Sequence, residues 1–381
     1  HPYAFFLHML SAYRTGLILL SPASIQKFTV EDRKQGKPGS IIGCGPFKYV
    51  EWVKGSHLLM ERFDKYFEPG LPYLDKVLVR VIKDPVTEMA AFKNGEVDFI
   101  ASFSPEHVDT MKVQNPKAII MTGKETTPMM AAMKVTIPKD GKPMSPERAP
   151  HPIFGDLRVR KALGCYGIDR QEVVKIAFKG QATPWVGMAP PGTLESVNLN
   201  HLCPYDQAKA KALLAEAGYG PSKPLTFELM TNTEKSVFNV IATVLKEQFA
   251  RLGVTANIRL VDKVSWMNTT LGDGPWDMYV EDLLSLITLD SNGYLSNSTS
   301  TWSHPRHNDA KVDEYYARYA RELDAGKRKV IAKELVEYMA DKMYWNNISG
   351  SPFYMVAQPW MKGYTYNAEF EVHYDKVWLD K

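Results

Sequence analysis

The chain has 381 residues, 45% of them hydrophobic and 23% charged, with a formal net charge of +3. A balance this close to neutral, with no basic block, gives no footing for nucleic-acid binding, and the composition is that of an ordinary globular chain. The length suffices for two sizeable cores, so two lobes are expected.

The segment Phe5–Leu20 is apolar but broken by His8, Ser11, Arg14 and Thr15, which argues against a transmembrane span. It lacks the basic region and small-residue cleavage site of a signal peptide. From Gly43 the pattern sharpens. A Gly/Pro turn launches an alternating strand, Phe47 and Tyr49 with Trp52 just beyond, and a second strand follows His57. A third alternates Val77, Val79 and Val81. Pro85 opens a short helix, Val86 to Lys93, that stops at Asn94-Gly95, where a left-handed cap is needed. A strand over 97–100 follows, so 43–100 reads as β-β-β-α-β. A helix at 105–111, a strand at 118–121 and a short apolar strand near 127–134 come next. Residues 136–152 are rich in Pro, Gly and Lys and read as a loop.

Asp156 and Asp169 are placed as helix N-caps, and the helix at 205–217 stops at Gly218. A strand at 225–230 leads into a helix with Val237, Phe238, Ile241, Leu245, Phe249 and Leu252 on one face, read as core. A strand at 254–260 completes a β-α-β crossover whose two strands should be parallel. Helices at 308–323 and 325–343 and strands near 351–357 and 376–379 end the chain.

Nothing in the motifs supports an enzyme: there is no GxSxG, HExxH, P-loop or dinucleotide fingerprint. Cys44, Cys165 and Cys203 are far apart and lack CxxC spacing, so zinc-site and redox-motif readings fail. Cys165 reads as a small core residue. One disulfide fits an oxidising compartment, and the sequence does not pair it. His304 and His307, three apart beside Pro305, read as loop residues rather than metal ligands.

Several spaced motifs then carry a family resemblance. They are Gly43-Cys44-Gly45-Pro46-Phe47, Glu61-Arg62, Pro72-Tyr73-Leu74-Asp75-Lys76-Val77 and Gly95-Glu96-Val97-Asp98. They continue with Asp156-Leu157-Arg158-Val159-Arg160, Gly167-Ile168-Asp169-Arg170 and the Tyr205–Tyr219 run. In this order they resemble family 5, the oligopeptide/dipeptide/nickel type, of ABC-importer substrate-binding proteins. The resemblance implies a two-lobed α/β periplasmic-binding-protein fold, class II of the large cluster C type, with mixed sheets flanked by helices and two hinge strands. Residues 1–38 then correspond to the end of a small accessory subdomain, and 39–126 with 358–381 to the first lobe. The hinge strands fall at 127–134 and 351–357 and the second lobe at 135–350. Family members carry a long stretch before the point matched by residue 1, with the secretion or lipidation signal and the first strands of the first lobe.

The function implied is capture of a peptide or other small solute outside the cytoplasm and delivery to a membrane permease. The protein is expected to be a periplasmic or cell-surface monomer, without cofactor or catalysis, closing on its ligand by hinge motion. A sugar, cationic metabolite or metal chelate as ligand, or a sensing or chaperone role on the same fold, is the alternative. Ligand chemistry is expected in 264–302. Peptide-binding members use an aspartate and an upstream arginine there. Here the matching positions are Leu286 or Ile287 and Val280 or Glu281, which weakens the peptide reading unless Glu281, Asp282 or Asp290 takes the amine. Trp266, Trp302 and Tyr354 are the candidate aromatic platforms. Leu284, Leu286 and Met130 complete the expected lining. Arg158, Arg160 and Arg170 are tempting as anion ligands, but a solvated helix face with one structural ion pair is the preferred reading.

Overall fold

The structure, a computed structural model, describes residues 21–381 except 104–106, 124, 126, 192, 194–195, 283–294, 297, 301–303, 353 and 366–372. It divides into two compact units, residues 124–352 and residues 21–123 with 353–381. Helices of eight or more residues are numbered below.

The smaller unit begins with short helices at Pro22–Lys27 and Val30–Lys34, the second closed by a capping box between Thr29 and Asp32. Strands β1 (Phe47–Val53), β2 (His57–Arg62) and β3 (Lys76–Arg80) form an antiparallel sheet in that order. Helix α1 (Pro85–Lys93) starts where the Asp84 side chain accepts from Thr87 N and Pro85 supplies the preset first turn. It stops before Gly95, whose φ of +74° is the left-handed cap the sequence called for. A second antiparallel sheet has β13 (Tyr354–Ala357) between β4 (Phe99–Phe103) and β5 (Ile119–Thr122). Its core gathers Met89, Phe92, Ile100, Phe103, Val108, Met111, Tyr354 and Val356.

The larger unit is built on one five-stranded sheet in the order β10–β9–β11–β6–β12. Its strands are β6 (Thr127–Met133), β9 (Thr226–Asn232), β10 (Thr255–Val261), β11 (Met278–Asp282) and β12 (Asn347–Ser351). The pairings make β6 antiparallel to both neighbours, and the other four run the same way. The crossover from β9 through α4 (Ser236–Ala250) to β10 is parallel, as expected. Residues Val237, Phe238, Ile241, Leu245 and Phe249 of α4 are buried, and each side chain contributes about 1.5–3 kcal/mol of transfer energy. Helices α2 (Arg170–Ala177), α3 (Gln207–Glu216), α5 (Lys263–Leu271), α6 (Ala310–Arg321) and α7 (Ala325–Asp341) complete the unit.

The segment expected as a loop, 136–152, contains a small hairpin, β7 (Thr136–Pro138) with β8 (Arg148–Pro150). It is pinned by Asp273, whose fully buried carboxylate accepts from Arg148 at 2.7 Å and pairs with Lys134 at 3.0 Å. Arg306 Nε stands 3.8 Å away. Burial works to raise the Asp273 carboxyl, and Arg148 and Lys134 outweigh it, so it stays below the ordinary range.

Two local readings are corrected. The helix from Asp156 turns into a π-helix at Lys161–Tyr166, and Cys165 on it is bonded to Cys203 rather than filling the core as a thiol. Only Arg158 lies on a solvated face, paired with Asp156 at 2.6 Å. Arg160 donates to the carbonyls of Phe154, Gly155 and Lys342, and Arg170 to those of Gly164, Cys165 and Asn347. Both guanidiniums are buried and satisfied by backbone, which no helix-face argument reveals.

Two outcomes follow. Replacing Asp273 by Asn leaves buried cations short of their countercharge and should cost about 3–5 kcal/mol, read as a lowered urea midpoint. Reducing Cys165–Cys203, or the C203S variant, should cost roughly 2–4 kcal/mol in the same assay.

Candidate functional site

In the larger unit the carboxyl ends of β9, β10 and β11 lie at one edge of the sheet, the edge at which open α/β sheets bind ligands. One transverse row of residues crosses that edge. Val261 pairs with Asn232, Glu281 with Met130, and Met130 with Asn347. Asn232 Nδ2 donates to Glu281 Oε2 at 2.5 Å and bridges β9 to β11. The row therefore reads Val–Asn–Glu–Met–Asn across all five strands. Asn347 donates to the carbonyls of Gly187 and Met188, and its own Oδ1 is buried without a partner among the described residues.

Charges gather around Glu281. Lys263, in the first turn of α5, reaches Glu281 at 3.2 Å and Glu234 at 2.5 Å. Lys235, just before α4, pairs with Asp282. Three carboxylates thus face two ammonium groups, and Glu281 and Asp282 are 2% and 9% exposed. Burial, and then the neighbouring Asp282 charge, push Glu281 up to about 7, with Lys263 opposing. Burial works against the Lys263 charge, and Glu234 and Glu281 outweigh it and hold that amine above its ordinary value.

Of the other expected lining residues that are described, Met130 lies in the row itself, while Trp266 and Tyr354 pack in cores. Trp266 is 4% exposed, edge-on to Tyr279 at 5.3 Å, with Lys263 Nζ 4.6 Å from its ring centroid. It is a core residue beneath the charged edge rather than an open platform, because one face of α5 must pack against the sheet. Tyr354, 5% exposed, belongs to the core of the other unit, and Met130 is 1% exposed. Leu284, Leu286, Asp290 and Trp302 lie outside the described residues. His304 is buried, shares a hydrogen bond with the Tyr279 hydroxyl at 2.5 Å, and is pushed down to about 4 by burial. His307 stacks on Tyr344 at 4.5 Å and contacts Ser298 O at 2.5 Å. Among the described residues no group of three His, Cys, Asp or Glu side chains is placed to hold a metal ion. Sequence reasoning missed Asn232 and Asn347. For Asn232 the available signal was an amide just past the end of a strand predicted to be parallel; Asn347, the first residue of β12, carried no such signal.

The charge state of Glu281 gives a pH prediction. Its folded value lies above the ordinary 4.5, so the folded state holds this proton more tightly and loses stability as pH rises from about 4.5 through about 7. E281Q should remove that slope. The difference in urea midpoint between wild type and E281Q should shift toward the variant from pH 5 to pH 8, and a constant difference contradicts the assignment.

Residues 1–304 match the family described as bacterial extracellular solute-binding proteins, family 5. The chain is 29% identical over 263 residues to the glutathione-binding protein GsiB of Escherichia coli K12, covering 68% of this chain and 46% of that protein. It spans about half the length of the curated relatives it matches. Its fold is similar to that of the Escherichia coli murein tripeptide binding protein MppA. The TM-score is 0.81 at 20% identity, over 99% of this chain and 71% of that one. It is also similar to the binding protein AgaA of A. tumefaciens R10, solved with agropinic acid, with a TM-score of 0.79 at 22% identity over 100% and 74% of the two chains. With the motifs, the mixed α/β units and these likenesses in agreement, the chain belongs to family 5 of the bacterial extracellular solute-binding proteins.

Proposed function

We propose that this chain is the extracytoplasmic solute-binding component of an ABC importer, taking up a peptide and passing it to a membrane permease without chemical change. The match over residues 1–304 carries this reading. Three features support it. The relative GsiB is named for binding glutathione, a small peptide. The Cys165–Cys203 disulfide suits an oxidising compartment, and among the described residues no helix is long and apolar enough to cross a membrane. The charged edge of the sheet bears both signs, carboxylates of Glu234, Glu281 and Asp282 with ammonium groups of Lys235 and Lys263. Such an edge answers both ends of a zwitterion.

A second reading, a non-peptide solute, draws on the pairing of the described carboxylates there: Glu281 and Asp282 already hold lysines, so an incoming amine must displace them. Titration calorimetry with reduced glutathione, trialanine, maltose and Ni(II)-histidine separates the readings. A peptide should bind saturably, and K263A or E281A should weaken it on the order of tenfold, the loss of one charge-assisted bond. Binding of only maltose or the chelate favours the second reading. Silence from both peptides overturns the peptide reading.

A further inference from the structure

The chain passes between its two units at 123–124 and again at 352–353. Just inside the two crossings, Glu125 and Gly350 are pressed together. A Cβ added to Gly350 would fall 2.3 Å from Glu125 Oε2 and 2.9 Å from Glu125 Cβ. Both residues are held by the same third residue. Thr183 N and Oγ1 donate to the Glu125 carboxylate at 3.3 and 3.1 Å, and Gly350 N donates to Thr183 O at 3.0 Å. Just inside, Thr127 pairs with Ser351 and Pro128 with Gly350, and Pro184 bridges to Ser349.

We propose that Glu125, Thr183 and Gly350 form a clasp that fixes the two connecting strands to each other where both leave the 124–352 unit. The clasp makes β6 and β12 one anchor for the chain within that unit, and it does not depend on the solute-binding reading. Three observations converge on it. Strand β6 is buried at all seven positions and paired on both sides, which leaves it no freedom to bend. Glycine at 350 lets two strands and a carboxylate meet where any larger side chain would strike Glu125. The acid at 125 is half-buried, and the two bonds from Thr183 to its carboxylate hold the side chain in place. These are positioning residues: they act through the strands they hold.

Amide hydrogen exchange on the full chain without ligand tests the clasp independently of any transport role. In wild type, amides of Met129–Met133 should be as protected as those of β9 and β10. Rapid exchange there shows that β6 is not held and overturns the proposal. E125A and T183V should each speed exchange at Gly350 on the order of tenfold, leave β9 and β10 unchanged, and together do no more than either alone. G350A should speed exchange at Ser351 in the same way, and E125A/G350A should lose less than the product of the single losses. Additive losses, or exchange at Gly350 that ignores residues 125 and 183, also overturn it. If G350A fails to fold, the E125A and T183V pair decides the question alone.

Discussion

The larger unit depends on β6, which is buried at every position and hydrogen-bonded along both edges. A strand enclosed on both faces cannot alternate polar and apolar residues, and Met129, Met130, Ala131, Ala132 and Met133 do not. Methionine fills irregular gaps and alanine admits close neighbours, so the strand serves two packed faces at once. Its direction matters equally. As the only described strand of this sheet that runs against its neighbours, β6 starts at the edge where β9, β10 and β11 end. The chain therefore enters the unit beside Asn232, Glu281 and Asp282.

Most of this architecture was legible because its signals are local. Helix caps at Asp156 and Asp169 follow from a short acceptor ahead of an apolar repeat. The parallel crossover from β9 to β10 follows from strand length, helix length and handedness. The order of the motifs points to the family, and the match over residues 1–304 shows it. Trp266 shows where that reasoning stops. A tryptophan on a helix beside a binding edge looks the same in sequence whether it faces solvent or the sheet, and only packing decides.

The buried charges were the least legible part. Asp273 collects Lys134 and Arg148 from positions more than a hundred residues away, and Glu281 collects Lys263 and Asn232 from two other elements. No spacing encodes such meetings, because they arise only once the sheet order is set. The disulfide is a similar case: a π-helical turn carries Cys165, and Cys203 closes on it from 38 residues away.

Arg160 and Arg170 differ from these charges in one respect. Burial pulls Arg170 down to about 10, still well above neutrality, and among the described residues no carboxylate pairs with it. Its acceptors are peptide carbonyls and the Asn346 amide oxygen, groups that no ordinary acidity protonates. An acid bath that dissolves carboxylate pairs would leave these two rivets untouched. The Phe154–Gly155 turn, the π-helix and the start of β12 are thus joined by contacts indifferent to the acidity of the medium.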